Sequence, residues 1–130
     1  MNEKELAAGL APTPGYRYAE IVGRELFVAG QVPHDAQGRL VSVGDAFGQA
    51  IQCLQNLATI IDCHGFKREH IRRLTIYVVG PQENLAQAWD AVSSHWQARV
   101  PPATLLGVGR LGYPEQLVEI DAMIVKSEPA

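Results

Sequence analysis

Two carboxylates near the C-terminus are the side chains of this sequence best placed to do chemistry. Glu119 and Asp121 lie two residues apart in the apolar segment 117–125, which alternates like a β-strand, so both side chains fall on one face. A carboxylate there must be paired or used, because burying it alone is costly. Burial would raise its pKa, which suits a group that passes a proton to or from water. A second role stays open, in which the carboxylate pairs with an arginine across a subunit interface.

The cysteines and histidines form no recognisable reactive motif. Cys53 and Cys63 fall in one predicted helix, about 15 Å apart at ~1.5 Å per residue, whereas a disulfide needs Cα atoms within ~7 Å. We interpret both as reduced thiols without a neighbouring ligand at metal-binding spacing. The histidines come from different predicted elements, and none is at the spacing of a metal pair: His34, His64, His70 and His95. The sequence therefore predicts no metal and no cofactor.

Length and charge restrict the class of protein. The 130 residues and 14.2 kDa amount to one domain, and 47% hydrophobic residues can build a core. The formal charge of −3 speaks against a nucleic-acid binder, which needs a basic stripe. There is no apolar run of membrane-spanning length and no signal-peptide core at the N-terminus. We expect a soluble cytoplasmic protein that binds neither nucleic acid nor membrane.

The elements that must position the carboxylates can be read from periodicity. Residues 1–15 are interpreted as an N-terminal leader whose second half is extended, because it holds two prolines and a glycine. Strands are predicted at 16–22, 25–29, 72–79, 104–111 and 117–125, and helices from Asp45 to Gly65 and over 84–98. This order predicts an α+β fold with both helices on one face of the sheet. The strands are apolar on both faces, so the second face requires another copy of the chain as cover.

Three segments resemble a known family. Residues 23–33 read GRELFVAGQVP, residues 101–108 read PPATLLGV, and residues 117–122 read LVEIDA. Together with Gly15-Tyr16 they are similar to the signatures of the Rid family, the reactive intermediate deaminases also called YjgF-type or L-PSP proteins. The likeness covers nearly the whole chain after the leader, which gives a domain at 16–130.

The resemblance implies a chorismate-mutase-like fold of the bacillus type and a homotrimer with inward-facing sheets. Small-molecule ligands would bind in three clefts between subunits. In deaminating members an arginine holds the substrate carboxylate and a glutamate positions water, which hydrolyses an enamine or imine without metal or cofactor.

Some of the family's site residues carry over to this chain. Tyr16 matches the cleft tyrosine, Gly30 the loop glycine after Ala29, and Glu119 the water-positioning glutamate. The arginine does not, because its place falls on Ala103 or Thr104, and neither can clamp a carboxylate.

A different arginine could replace it. Arg17 is the first candidate, and Arg110 is a poorer one.

Three functions are consistent with these residues. The first is hydrolysis of a small enamine, imine or related reactive metabolite by Glu119 and a cleft water, with weak activity on 2-imino acids. The second is a trimer that binds a small ligand without catalysis. The third, an endoribonuclease, fits the acidic composition least.

Overall fold

A computed structural model describes residues 1–127. Its elements follow the chain in this order: α1 (Glu3–Ala7), β1 (Ala19–Val22), β2 (Glu25–Val28), α2 (Ala46–Cys63), a 3-10 turn (Arg68–His70), β3 (Ile71–Val79), α3 (Gln82–His95), β4 (Ala103–Val108) and β5 (Val118–Val125). The α+β class predicted from the sequence is confirmed. Within the described residues, no helix combines the length and the apolar character needed to cross a membrane.

One mixed sheet carries the fold, with strand order β1-β2-β5-β3-β4. All neighbours are antiparallel except β3 and β4, which run parallel and are connected through α3. The first hairpin turns at Gly23-Arg24, as predicted, because Val22 pairs with Glu25 and Gly23 adopts a φ of 60° that suits glycine. This topology places β5, the strand with both carboxylates, in the centre of the sheet.

Helix α2 begins and ends where its sequence predicts. The Asp45 carboxylate accepts a hydrogen bond of 3.0 Å from the Gly48 N–H, which satisfies one of the free donors of the first turn. Beyond the last turn, Gly65 has a φ of 78°, a conformation that ends a helix easily. The inner stripe of α2 packs on the sheet, and truncating Leu54 or Leu57 to alanine would cost about 2–5 kcal/mol.

The two faces of the sheet differ. One face is covered by α2 and α3 and holds the core residues Leu26, Leu74, Ile76, Val118 and Ile120. The opposite face, here called the uncovered face, has no element of residues 1–127 packed over its centre. It is formed by Phe27 of β2, Arg73 and Tyr77 of β3, Thr104 of β4, and Glu119, Asp121 and Met123 of β5. Phe27 is 51% exposed and Met123 50%, which is the exposure predicted from strand alternation.

The N-terminal segment contains a helix that the sequence did not predict. Helix α1 is only five residues long and packs against α2, so tertiary contacts rather than intrinsic propensity hold it in place. Asn2 is buried; its amide donates to Thr13 Oγ1 (2.9 Å) and to the Tyr16 carbonyl (3.2 Å), and its oxygen accepts from the Tyr18 N–H (2.9 Å). The segment is therefore anchored to the residues that lead into β1.

Candidate active site

An open cleft of about 430 Å³ lies where the N-terminal segment, the loop after β2 and the loop before β5 meet. Four residues predicted from the sequence line it: Tyr16, Ala29, Gly30 and Glu119. The remaining lining residues are Pro14, Val32, Gly112 and Tyr113. Residues separated by about a hundred positions in the chain thus converge on one site, and they do so because β5 pairs with β2 in the sheet.

The Glu119 carboxylate lies directly against the backbone of Gly30. A Cβ placed on Gly30 would be 2.3 Å from Glu119 Oε2 and 3.0 Å from its Cδ. Real Cβ atoms do not approach so closely, so any side chain at this position would displace the end of the Glu119 side chain. The glycine therefore permits this close packing, and it does not serve an unusual φ. Gly30 is held in place by its neighbour, because Gln31 and Ile120 exchange backbone hydrogen bonds of 2.7 and 3.1 Å.

Gln116 orients Glu119 from the other side and was not identified from the sequence. It is 3% exposed, and its Nε2 donates to Glu119 Oε1 (3.3 Å) and to the Val118 carbonyl (3.0 Å). Its Oε1 accepts from the Tyr113 N–H at 3.2 Å. One buried amide therefore fixes both the carboxylate and the tyrosine loop of the cleft. A glutamine just before a strand carries no distinctive pattern, so no signal in the sequence could have identified it.

Burial shapes the acid–base character of the cleft. It raises the pKa of the half-buried Glu119; the nearby Asp121 adds to this shift, and the hydrogen bond from Gln116 opposes it. Burial also raises the pKa of Tyr16, with further contributions from Tyr113 and Glu119. The cleft therefore combines a carboxyl group poised to exchange protons with a phenol that stays protonated and can donate a hydrogen bond.

Tyr113 connects the cleft to the loop after β2. Its ring packs edge-on against His34 with the ring centroids 4.5 Å apart. That loop is fixed in turn by Asn56 of α2, whose amide donates to the carbonyls of Val32 and His34 at 3.0 Å each. The walls of the cleft are thus tied to the helix layer.

The residues at the expected position of the arginine lie outside the cleft of this chain. Ala103 and Thr104 open β4, which is separated from β2 by the two strands β5 and β3, and Thr104 accepts a hydrogen bond of 3.3 Å from Arg73 Nη2. Arg17 pairs with Glu20 on the exposed side of β1, and Arg110 lines a different concavity. Among the described residues, no arginine or lysine lines the cleft.

A second cavity, of about 310 Å³, lies on the helix side of the protein between α2 and α3. Its lining is mostly apolar and includes Phe66 and Trp96, with Arg68 placed 5.0 Å from the centre of the Trp96 ring. It contains none of the residues that converge at Glu119, so the chemistry is assigned to the open cleft.

A cluster of three potential metal ligands within residues 1–127 lies outside both cavities. Glu5, Cys63 and His64 meet where α1 packs on the end of α2. His64 directly follows Cys63, and the third group comes from α1, so the cluster does not have the spacing of a metal-binding sequence motif.

Comparison with known proteins agrees with this fold. Residues 7–126 match the family described as endoribonuclease L-PSP. The RutC family protein PH0854 of Pyrococcus horikoshii is 27% identical over 118 residues, which cover 89% of this chain and 92% of the relative. TM0215 of Thermotoga maritima superposes with a TM-score of 0.79 at 26% identity over 92% of both chains. TdcF of E. coli, solved with bound serine, shares the fold with a TM-score of 0.76 at 23% identity over 91% and 93% of the two chains.

The family match extends over nearly all of the described residues and includes both walls of the cleft. The predicted resemblance to Rid, YjgF-type or L-PSP proteins is therefore confirmed, and the chain belongs to the endoribonuclease L-PSP family.

Proposed function

We propose that the protein hydrolyses a small imine or enamine in the Glu119 cleft. The observation that carries this proposal is the Glu119 carboxylate, half-buried, oriented by Gln116 and packed on Gly30 beside the Tyr16 phenol. A carboxylate whose pKa is raised is a stronger base than an ordinary one, so it can take a proton from water and later return it as an acid.

The reaction needs only water and one proton carrier. Glu119 accepts a proton from water as the oxygen adds to the carbon of the protonated imine, which gives a neutral carbinolamine. The same carboxyl returns the proton to nitrogen as the C–N bond breaks, and the regenerated carboxylate takes the hydroxyl proton as the carbonyl forms. The protonated imine and water thus become a carbonyl compound, ammonia and one proton, which Glu119 releases to solvent. Tyr16 donates a hydrogen bond to the substrate, and no redox step is involved.

The lining residues favour a substrate without a free carboxylate. Glu119 is negative when it acts as base, and no cation among residues 1–127 faces it across the cleft. A 2-imino acid would therefore be repelled and would lack a bidentate partner. TdcF of E. coli, which shares this fold, was solved with bound serine, and a ligand of that size on the same fold supports a small substrate here.

A homotrimer is proposed as the working form. The support is the uncovered face, where Phe27 and Met123 are each about half exposed and where a second copy would shield apolar surface. In such an assembly the cleft would lie at the edge of a subunit contact, and the neighbour could contribute further side chains to it.

The test compares imines with and without a carboxylate. Amine and amino-acid oxidases generate each imine in situ, and the loss of imine is followed with wild type, Glu119→Gln and Glu69→Gln. We expect faster turnover of the carboxylate-free imine, loss of most turnover in Glu119→Gln, and retention in Glu69→Gln, the same change at an exposed side chain of the 3-10 turn that does not line the cleft. Full activity of Glu119→Gln would refute the acid–base role.

A ligand-binding protein without catalysis is the second candidate. The absence of a cation from the described cleft favours this candidate over catalysis on acidic substrates, because such substrates would be both bound and turned over more weakly. Isothermal titration with the same amines and imines separates the two functions: saturable binding without turnover in wild type would support this one.

RNA is included as a third substrate, and the net charge of −3 predicts that it is not cleaved.

A further inference from the structure

We propose that Glu5, Cys63 and His64 form a Zn²⁺ site that joins α1 to the C-terminal end of α2. A carboxylate oxygen, the thiol sulfur and an imidazole nitrogen lie within 4.8 Å of one another. None of these three residues lines the Glu119 cleft, so the site is independent of the proposed hydrolysis.

The geometry needs only small side-chain adjustments. Zinc binds sulfur at about 2.3 Å and nitrogen or oxygen at about 2.1 Å in a tetrahedron, which places ligand atoms roughly 3.5 Å apart. Glu5 Oε2 and His64 Nε2 are in direct hydrogen-bond contact, so an inserted ion would push these two atoms slightly apart. Cys63 is the last residue of α2 and His64 its C-cap, where side chains rotate without disturbing the helix.

The three side chains of the site are largely shielded from solvent between α1 and the end of α2. The Glu5 side chain is 5% exposed and the His64 side chain 13% exposed, while Cys63 is partly buried. A carboxylate in such surroundings is costly unless it is compensated. Its partners are an imidazole and a thiol, both of which are metal ligands, so the three groups form a donor set and not merely an acidic cluster.

The chemical types of the three ligand atoms determine which metal ion the site would prefer. Thiolate and imidazole ligands suit Zn²⁺, whereas Mg²⁺ and Ca²⁺ prefer sites made only of oxygen. Three protein ligands leave a fourth position for water or another ligand. Binding replaces the thiol proton of Cys63 with the metal and releases that proton to solvent, so the affinity falls at low pH.

The site would fasten the N-terminal segment to the domain. Asn2 stands three residues before Glu5, and it holds the backbone of Tyr16 and Tyr18. A metal ion at Glu5 would therefore reinforce the same segment that leads into the cleft. The effect is on stability, and it does not depend on which substrate the cleft accepts.

Cobalt provides a direct spectroscopic test. Full-length protein is prepared reduced and without a histidine tag, and Co²⁺ is titrated in while absorbance is recorded. We expect one Co²⁺ per chain, a thiolate-to-metal charge-transfer band in the ultraviolet, visible bands of tetrahedral coordination, and displacement of all of them by one equivalent of Zn²⁺. A folded wild type that shows no thiolate band at stoichiometric Co²⁺ overturns the proposal.

Variants assign the ligands. Cys63→Ala should abolish the charge-transfer band, and His64→Gln and Glu5→Gln should weaken binding by tenfold or more. His70→Gln, the same histidine change outside the cluster, should bind like wild type. Circular dichroism verifies that each variant is folded. A charge-transfer band that persists in Cys63→Ala, or equal affinity in His64→Gln and His70→Gln, would show that Glu5 and His64 are only a buried hydrogen-bonded pair.

Discussion

Replacing Gly30 by alanine perturbs the proposed site with a single methyl group. The backbone of Gly30 is not in the left-handed region, so alanine can adopt its conformation. The new Cβ would be 2.3 Å from Glu119 Oε2, whereas ordinary contact begins at 3.4 Å. The carboxylate must therefore move by about 1 Å away from Gly30.

The size of the expected effect follows from this displacement. A misplacement of about 1 Å in a catalytic group costs on the order of a hundredfold in rate. We expect Gly30→Ala to lose about that factor in kcat/KM for the preferred imine while its circular dichroism spectrum stays native. The matched control is Gly109→Ala, since nothing lies within 4 Å of a Cβ at Gly109 and its φ is unexceptional. Wild-type activity in Gly30→Ala would refute the placement of Glu119 as the proton carrier.

Substitutions at three other positions test the carboxyl, its support and the assembly. Glu119→Gln should melt at a higher temperature than wild type at neutral pH. A carboxyl whose pKa is raised on folding destabilises the folded protein as the pH rises from the unfolded-state pKa through the folded-state pKa. The gain in melting temperature should vanish in acid, and a lower melting temperature than wild type at pH 7 would contradict the argument. Gln116→Met should lower activity about tenfold and move the inflection of the pH–rate profile upward. The hydrogen bond from Gln116 lowers the pKa of Glu119, so the loss of this bond raises it. An unmoved inflection would mean that Gln116 does not orient the carboxylate. Met123→Lys should dissociate the proposed trimer in light scattering, whereas Leu6→Lys, at an apolar residue of α1 that is 45% exposed, should leave the mass unchanged. The same mass for Met123→Lys and wild type would exclude the uncovered face as the interface.

The periodicity of apolar residues predicted the central helix and strand, because burial of one face of each element requires that periodicity. Helix α2 and strand β5 each have one face against the core, and Ile120 and Ile124 are completely buried while Met123 is half exposed. The same alternation correctly placed Glu119 and Asp121 on the face opposite to the helices. Boundaries were less accurate: β4 ends at Val108, three residues earlier than predicted, because Gly109 and Arg110 no longer pair with β3.

The parts of the site that depend on long-range contacts could not be predicted. Gln116 matters only because β5 carries Glu119 next to it in space, and its own sequence environment resembles an ordinary loop. Helix α1 is too short to be stable alone and is fixed by Asn2 and by Glu5, which contacts His64 from 59 residues away. Such groups become recognisable only when the N-terminal segment is seen to pack on α2.

The negative charge of Glu119 makes the preferred substrate depend on how the subunits assemble. Two like charges about 5 Å apart repel by about 3 kcal/mol at an effective dielectric constant near 20, so Glu119 alone would weaken the binding of a substrate carboxylate by roughly a hundredfold. Only a cation can offset this repulsion, and within the described chain the uncovered face holds one in Arg73, beside Thr104. A neighbouring subunit that brought this part of its sheet to the cleft would restore affinity for 2-imino acids, whereas an assembly that brought no cation there would leave the cleft selective for carboxylate-free imines. The relative rates on the two substrate types therefore also report which residues a neighbouring subunit contributes.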